Sequence, residues 1–398
     1  MKPAPEVQGL AAHGHAWWAL DLLDNRYAAL HGFRVLAILS VVQYHVTWTF
    51  AEARVPMNRA LADASLRVFF GMDLFFLLSG FLIGSILLRS LDTSGTLDLR
   101  RFYLRRIFRT FPPYYVVLAY LALITPMTEA RLRHLPYEVL YATNFVSASS
   151  ADVVMFWGWS LALEEQFYLV APGLFFVLHK LKTDGARVAL LVALALGALG
   201  RRLWMLYMMG PWTDFTLYSR LYFRTPTRYD AIVWGVLLAF IYQRWGEPIR
   251  AALRPPAARA AVAIPSLALL WVLSNTHMFG SEHTHLVRVL AWGTLSSAMY
   301  YGLVLLLLPG EGFLARFLAA PVFRRIGTLG YGVYLVHIPV CEVMLQPIAR
   351  TLLARRVPMT VVWVASLVAV LAASLVLAYV LHLLIEKPAL RLRQAIAG

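Results

Sequence analysis

Arg34 and His45 lie eleven positions apart in a single apolar run, and two more ionisable groups, Asp73 and Glu164, sit inside later apolar runs. At 100° per residue, eleven positions come to three turns plus about 20°, so the arginine and the histidine project from one helix face about 16.5 Å apart along its axis. One face therefore carries a cation at one end and a titratable group at the other. A charge placed at the centre of a bilayer costs about 2.5–3.5 kcal/mol even on insertion scales, so each such residue marks a functional site by default. The segment LRRFYLRRIFR adds Arg100, Arg101, Arg105, Arg106 and Arg109. This arrangement suits a long ligand with a polyanionic head and a reactive tip.

Simpler readings exist for each residue alone. Arginines beside a span commonly anchor in lipid headgroups, a single histidine on a helix face is commonly a packing residue, and Glu164 could pair with a neighbouring arginine. The joint placement is harder to dismiss. His45, Asp73 and Glu164 are all expected in the outward third of the bilayer, with Arg34 near the cytoplasmic end on the same side as the basic segment.

The elements that must position these groups are membrane helices. The 398 residues are 60% apolar and 14% charged, with a mean hydropathy of +0.65, whereas soluble domains carry about 25% charge. Windows of about 20 apolar residues fall near 29–50, 66–88, 111–127, 159–178, 187–208, 228–245, 260–276, 286–308, 327–347 and 359–385. The expected fold is all-α, a polytopic integral membrane bundle of about ten transmembrane helices with no separate soluble domain. Residues 1–27 are expected to form a cytoplasmic tail in which Trp17-Trp18 is an interfacial anchor, and residues 28–390 the transmembrane domain. Lys and Arg are more frequent in the connections that share a side with the N-terminus, which places both termini in the cytoplasm.

The 36 Lys and Arg against 21 Asp and Glu give +15. The excess is scattered between apolar runs, which fits contact with anionic lipid rather than nucleic acid. Cys341 is the single cysteine, so an intrachain disulfide and a cysteine zinc site are excluded. No Walker A, Rossmann glycine pattern or H-E-x-x-H occurs, and no metal is expected. Ser79 has no G-x-S-x-G elbow around it, and Ser79-Gly80 reads as a small-residue helix crossing.

Several segments in order resemble the acyltransferase-3 family of membrane O-acyltransferases. LHGFRVLAILSVVQYHV is similar to the family's opening helix with its Arg and His, here Arg34 and His45; FFGMDLFFLLSGFLIG is similar to its second helix. FYLRRIFRTFPPYY resembles the following basic segment with its R-x-x-R element at Arg106 and Arg109. WGWSLALEEQFYLVAP carries Glu164 at the signature glutamate, and TRYDAIVWGVLLA, IGTLGYGVYLVHIPV and IEKP resemble later features. The likeness runs from about residue 25 to 390. It departs where the family's glycine-serine-tyrosine stretch reads Gly330-Tyr331-Gly332 ahead of His337.

The resemblance implies an acyl-CoA donor, acetyl-CoA being the commonest in the family, and a hydroxyl acceptor on a sugar of a surface glycan or secreted natural product. It also implies a bacterial-type plasma membrane. A histidine with an unperturbed pKa of about 6.5 suits removal of the hydroxyl proton, so His45 is the expected general base, with Glu164 or Asp73 as the carboxylate that orients it. Arg34, Arg105, Arg106 and Arg109 are the expected phosphate ligands of the donor. The competing reading is a transporter or flippase of a lipid-linked saccharide, with the acids relaying protons and the arginines holding pyrophosphate.

Overall fold

The chain is described by a computed structural model covering residues 19–20, 22–146, 149, 151–276 and 285–397. The Trp17-Trp18 pair, most of the expected tail and residues 277–284 lie outside the described residues. Those described form helices and turns, with no strand among them. The helices are α1 Ala29–Glu52, α2 Arg59–Leu66, α3 Gly71–Ser94, α4 Leu99–Ile124, α5 Glu129–Val139, α6 Gly158–Lys180 and α7 Asp184–Met208. After the short turns Asp214–Leu217, Tyr218–Tyr222 and Thr225–Arg228 come α8 Asp230–Ala252, α9 Pro256–Asn275 and α10 His285–Leu307. The chain continues through α11 Gly312–Leu318, α12 Pro321–Ala354, α13 Met359–Leu381 and α14 Lys387–Ala397.

Each of the ten apolar runs coincides with a long helix. Nine helices among the described residues are long and apolar enough to cross a membrane. The tenth run is α8, whose buried apolar residues stop near Tyr242 before Gln243, Arg244 and Glu247. Outward faces of α9 and α13 expose Ile264, Trp271, Val368 and Val376, as helices facing lipid tails do. The chain is a multi-pass membrane protein.

The basic segment is not the connection that hydropathy suggests. Asp98 caps α4 by accepting from the Arg101 N–H at 2.9 Å, and helix runs without a break from Leu99 through all the arginines to Ile124. A carboxylate at an N-cap satisfies a free backbone donor and starts the helix there. Arg100 to Arg109 thus ride on a rigid rod that can aim them inward.

α3 is the central element, and it divides its contacts between two faces. Successive residues turn by 100°, so Asp73, Leu77, Gly80 and Gly84 fall on one stripe and Met72, Phe75, Ser79 and Ile86 on another. The first stripe packs on α8 with the backbones in contact. A Cβ built on Gly80 would lie 1.9 Å from the Ile232 carbonyl oxygen, and one on Gly235 would lie 2.0 Å from that of Leu77. Small residues at such a crossing permit the close approach that holds membrane helices together.

Gly235→Val should force these two helices apart. The expected loss is about 2 kcal/mol or more, seen as a lowered midpoint for thermal unfolding in detergent, whereas Gly173→Ala on α6, where an added Cβ meets nothing within 4 Å, should leave the midpoint unchanged.

Candidate active site

Two neighbouring cavities share part of their lining. The first, about 240 Å³, is lined by Arg34 of α1, Ser79 of α3, Arg106 and Arg109 of α4, Ser160, Glu164 and Tyr168 of α6 and Tyr334 of α12. Glu164 accepts from the Ser79 hydroxyl at 2.6 Å and from the Tyr168 hydroxyl at 3.4 Å. The Arg106 guanidinium stands 5.5 Å from the Tyr168 ring centre, and its Nε is buried without a hydrogen-bond partner. Arg34, Arg106 and Arg109 form no ion pair among the described residues. The structure brings these three together and leaves Arg105 out. Arg105 precedes Arg106 and so points 100° away from it around α4; it is exposed and lines neither cavity.

The second cavity, about 380 Å³, is largely aromatic. Tyr44, Trp48, Phe156, Trp159, Tyr218, Tyr222 and Phe223 line it together with His45, Glu52 and Asp214. The expected carboxylate does not reach His45. Its neighbour is a second imidazole, since His337 Nε2 lies 3.1 Å from His45 Nδ1, which also faces the Val41 carbonyl at 2.9 Å.

The surrounding carbonyls fix the tautomers. His337 Nδ1 lies 2.7 Å from the Tyr334 carbonyl, and a carbonyl can only accept, so His337 Nδ1 carries a hydrogen. In the neutral ring, His337 Nε2 is then an acceptor. His45 Nδ1 in turn carries the hydrogen that it offers to Val41 and His337. The lone pair of His45 is left on Nε2, in a residue that lines the aromatic cavity. That is the state a general base requires.

Asp73 belongs to neither cavity, which corrects its expected place beside His45. It lies on the α8-facing stripe of α3, where Oδ1 accepts from Arg228 Nη1 at 2.8 Å and from the Gly293 N–H at 3.1 Å, with both side chains fully buried. A second buried pair, Arg202 with Asp230 at 2.8 Å, lies alongside, and Thr294 bonds to Asp230. Arg228 also stacks 4.5 Å from the centre of the Tyr222 ring. Here the carboxylates neutralise buried cations and brace the aromatic wall.

The family model described as an acyltransferase domain, Acyl_transf_3, matches residues 27–381. The chain belongs to the acyltransferase-3 family. It is similar to the peptidoglycan O-acetyltransferase OatA of Listeria monocytogenes, 28% identical over 333 residues that cover 78% of this chain and 49% of that protein. It is also similar to YrhL of Bacillus subtilis, provisionally named a peptidoglycan O-acetyltransferase, at 27% identity over 338 residues covering 79% and 49%. The chain spans about half the length of the curated relatives it matches. No solved structure matches.

Within this acyltransferase-family bundle, residues outside the expected site hold it together: sequence marks His337 and Ser79 without placing them there and does not single out Glu138. His337 stands 292 positions from the histidine it touches; its one signal is its place at the end of the YGVYLVH segment. Ser79 is the hydrogen-bond partner of Glu164 as well as a neighbour of the Gly80 crossing. Glu138 of α5 is fully buried, and its carboxylate accepts from the Met155 N–H at 2.7 Å and the Val154 N–H at 3.1 Å. Burial pushes the Glu138 carboxyl above its usual range, against the pull of those two N–H groups. The clamp fixes the turn that delivers Phe156, whose ring centre lies 6.5 Å from that of His45.

Asp73→Ala should act on the fold rather than on chemistry. Removing one member of a buried pair costs about 3–5 kcal/mol, so the variant should unfold at a markedly lower temperature in detergent. Retained wild-type stability with lost turnover would instead make Asp73 part of the reaction.

Proposed function

We propose that this chain transfers an acyl group, acetyl in the simplest case, from acyl-CoA in the arginine-lined cavity to a sugar hydroxyl in the aromatic cavity. The observation that carries this reading is the pairing of a cavity whose arginines form no ion pair among the described residues with a histidine whose Nε2 lone pair is free. Arg34, Arg106 and Arg109 supply planar donors for phosphate oxygens, and the buried, unpartnered Nε of Arg106 is a donor awaiting an anion. The thioester supplies an activated acyl carbon. His45 Nε2 takes the proton of the acceptor hydroxyl as its oxygen bonds to that carbon and the carbon–sulfur bond breaks. His337 holds the imidazole in the required tautomer.

Aromatic side chains with a few polar groups form the usual lining of a ligand cavity, and a sugar presents both an apolar face and hydroxyls. The relatives named for acetylating peptidoglycan support a saccharide acceptor. Glu164, held by Ser79 and Tyr168 beside the arginines, takes the donor side rather than orienting His45. The domain for this activity is residues 28–390, in a bacterial-type plasma membrane with both termini in the cytoplasm and the arginine cavity on that same side.

Membranes carrying the protein should move radiolabel from acetyl-CoA into a glycan or lipid-linked saccharide fraction. His45→Ala should lower transfer by about 100-fold or more with the donor KM within twofold of wild type. Arg106→Ala should raise the donor KM by about tenfold. Full transfer by His45→Ala, or equal donor affinity in the two variants, would refute this division of roles.

A further inference from the structure

Two residues line both cavities, Tyr334 and Met72. Tyr334 is buried, and its hydroxyl is fastened twice, by donation to the Trp157 carbonyl at 3.0 Å and by a 2.5 Å contact with the Ser160 hydroxyl. Trp157 O also takes a 3.3 Å bond from Ser160. Met72 comes from the start of α3, on the stripe that continues to Ser79. The Tyr334 backbone carbonyl is the acceptor for His337 Nδ1, so the same residue sits at the wall and at the end of the imidazole pair.

We infer that Tyr334 and Met72 form a septum between the donor and acceptor cavities, and that Tyr334 is the positioning residue that reserves the reacting carbon for the sugar hydroxyl by keeping water out. This rests on the transferase reading for its chemistry, though not for its geometry. Cations on one side and the base on the other require the thioester and hydroxyl to meet at this wall. The buried ring of Tyr334 is a rigid barrier, while the flexible Met72 that completes the wall can yield to a narrow acyl arm. With the phenol removed, water reaches the thioester: its oxygen bonds to the acyl carbon, the carbon–sulfur bond breaks, and CoA leaves as the thiol with acetate as the other product. Exclusion of water from such a site is what prevents that side reaction.

The test begins without catalysis. In a Cys341→Ala background, Ile86→Cys places one thiol in the arginine cavity, which Ile86 lines. In proteoliposomes, a membrane-impermeant maleimide added separately to each side should label it from one side only. Adding Tyr334→Ala or Met72→Ala should allow labelling from both sides, and Tyr334→Phe should not. In purified protein with intact Cys341 and Ile86, Tyr334→Ala or Met72→Ala should raise acceptor-independent release of thiol from acetyl-CoA by about tenfold, with Tyr334→Phe near wild type.

Labelling from both sides with Tyr334 and Met72 intact would overturn the septum. So would one-sided labelling in a folded opening variant. Wild-type membranes that never transfer label would instead overturn the transferase reading, whatever the labelling shows, so the two failures are distinguishable.

Discussion

An arginine inside an apolar bundle needs an anion, and the ways this chain meets that need organise the molecule. Arg202, Arg228 and Arg288 are fully buried and each takes a carboxylate from the protein, Asp230, Asp73 and Asp214 respectively. These pairs hold their cations in place, and breaking one would leave a charge stranded in low dielectric. Arg34, Arg106 and Arg109 line a cavity with no such pair. Of the carboxylates that line it, Glu164 spends its hydrogen bonds on Ser79 and Tyr168, and Asp24 accepts from the Arg26 N–H. The difference between paired and unpaired cations separates framework arginines from those that line the cavity in a way that arginine content alone does not.

The helical architecture was legible because an apolar run long enough to cross a bilayer has few other uses. The Arg34 and His45 relationship was legible for a similar reason, since a fixed twist makes eleven residues nearly three whole turns. That both occupy one face does not put them in one cavity: their axial separation carries them to opposite sides of the Tyr334 wall. Asp73 was misplaced because α3 is apolar on every side, so periodicity marks no face of it as special. Only the α8 contact, made through Gly80 and Gly235, decides that Asp73 turns away from α1 while Met72 and Ser79 turn toward the cavity.

Long-range partners were the other hidden layer. Nothing within α1 announces that His45 meets His337, because that contact depends on α12 crossing α1, where a Cβ on Gly330 would lie 2.5 Å from Ile38. The basic segment reads as a connection because hydropathy registers charge and not the Asp98 cap that starts a helix beneath it. In each case a local pattern was read correctly for composition, and the missing information was direction.

The two stripes of α3 also limit how the chain can vary in length. A substitution on one stripe alters one neighbour, but a single inserted residue between Met72 and Ser79 would turn everything on one side of it by 100°. If the Gly80 crossing held its place, Asp73 would leave Arg228 and Met72 would leave the wall it shares with Tyr334. The same insertion would thus strand a buried cation and breach the partition together. α3 can tolerate changes of residue far more readily than changes of count, and its length between these positions is as much a part of the site as any side chain it carries.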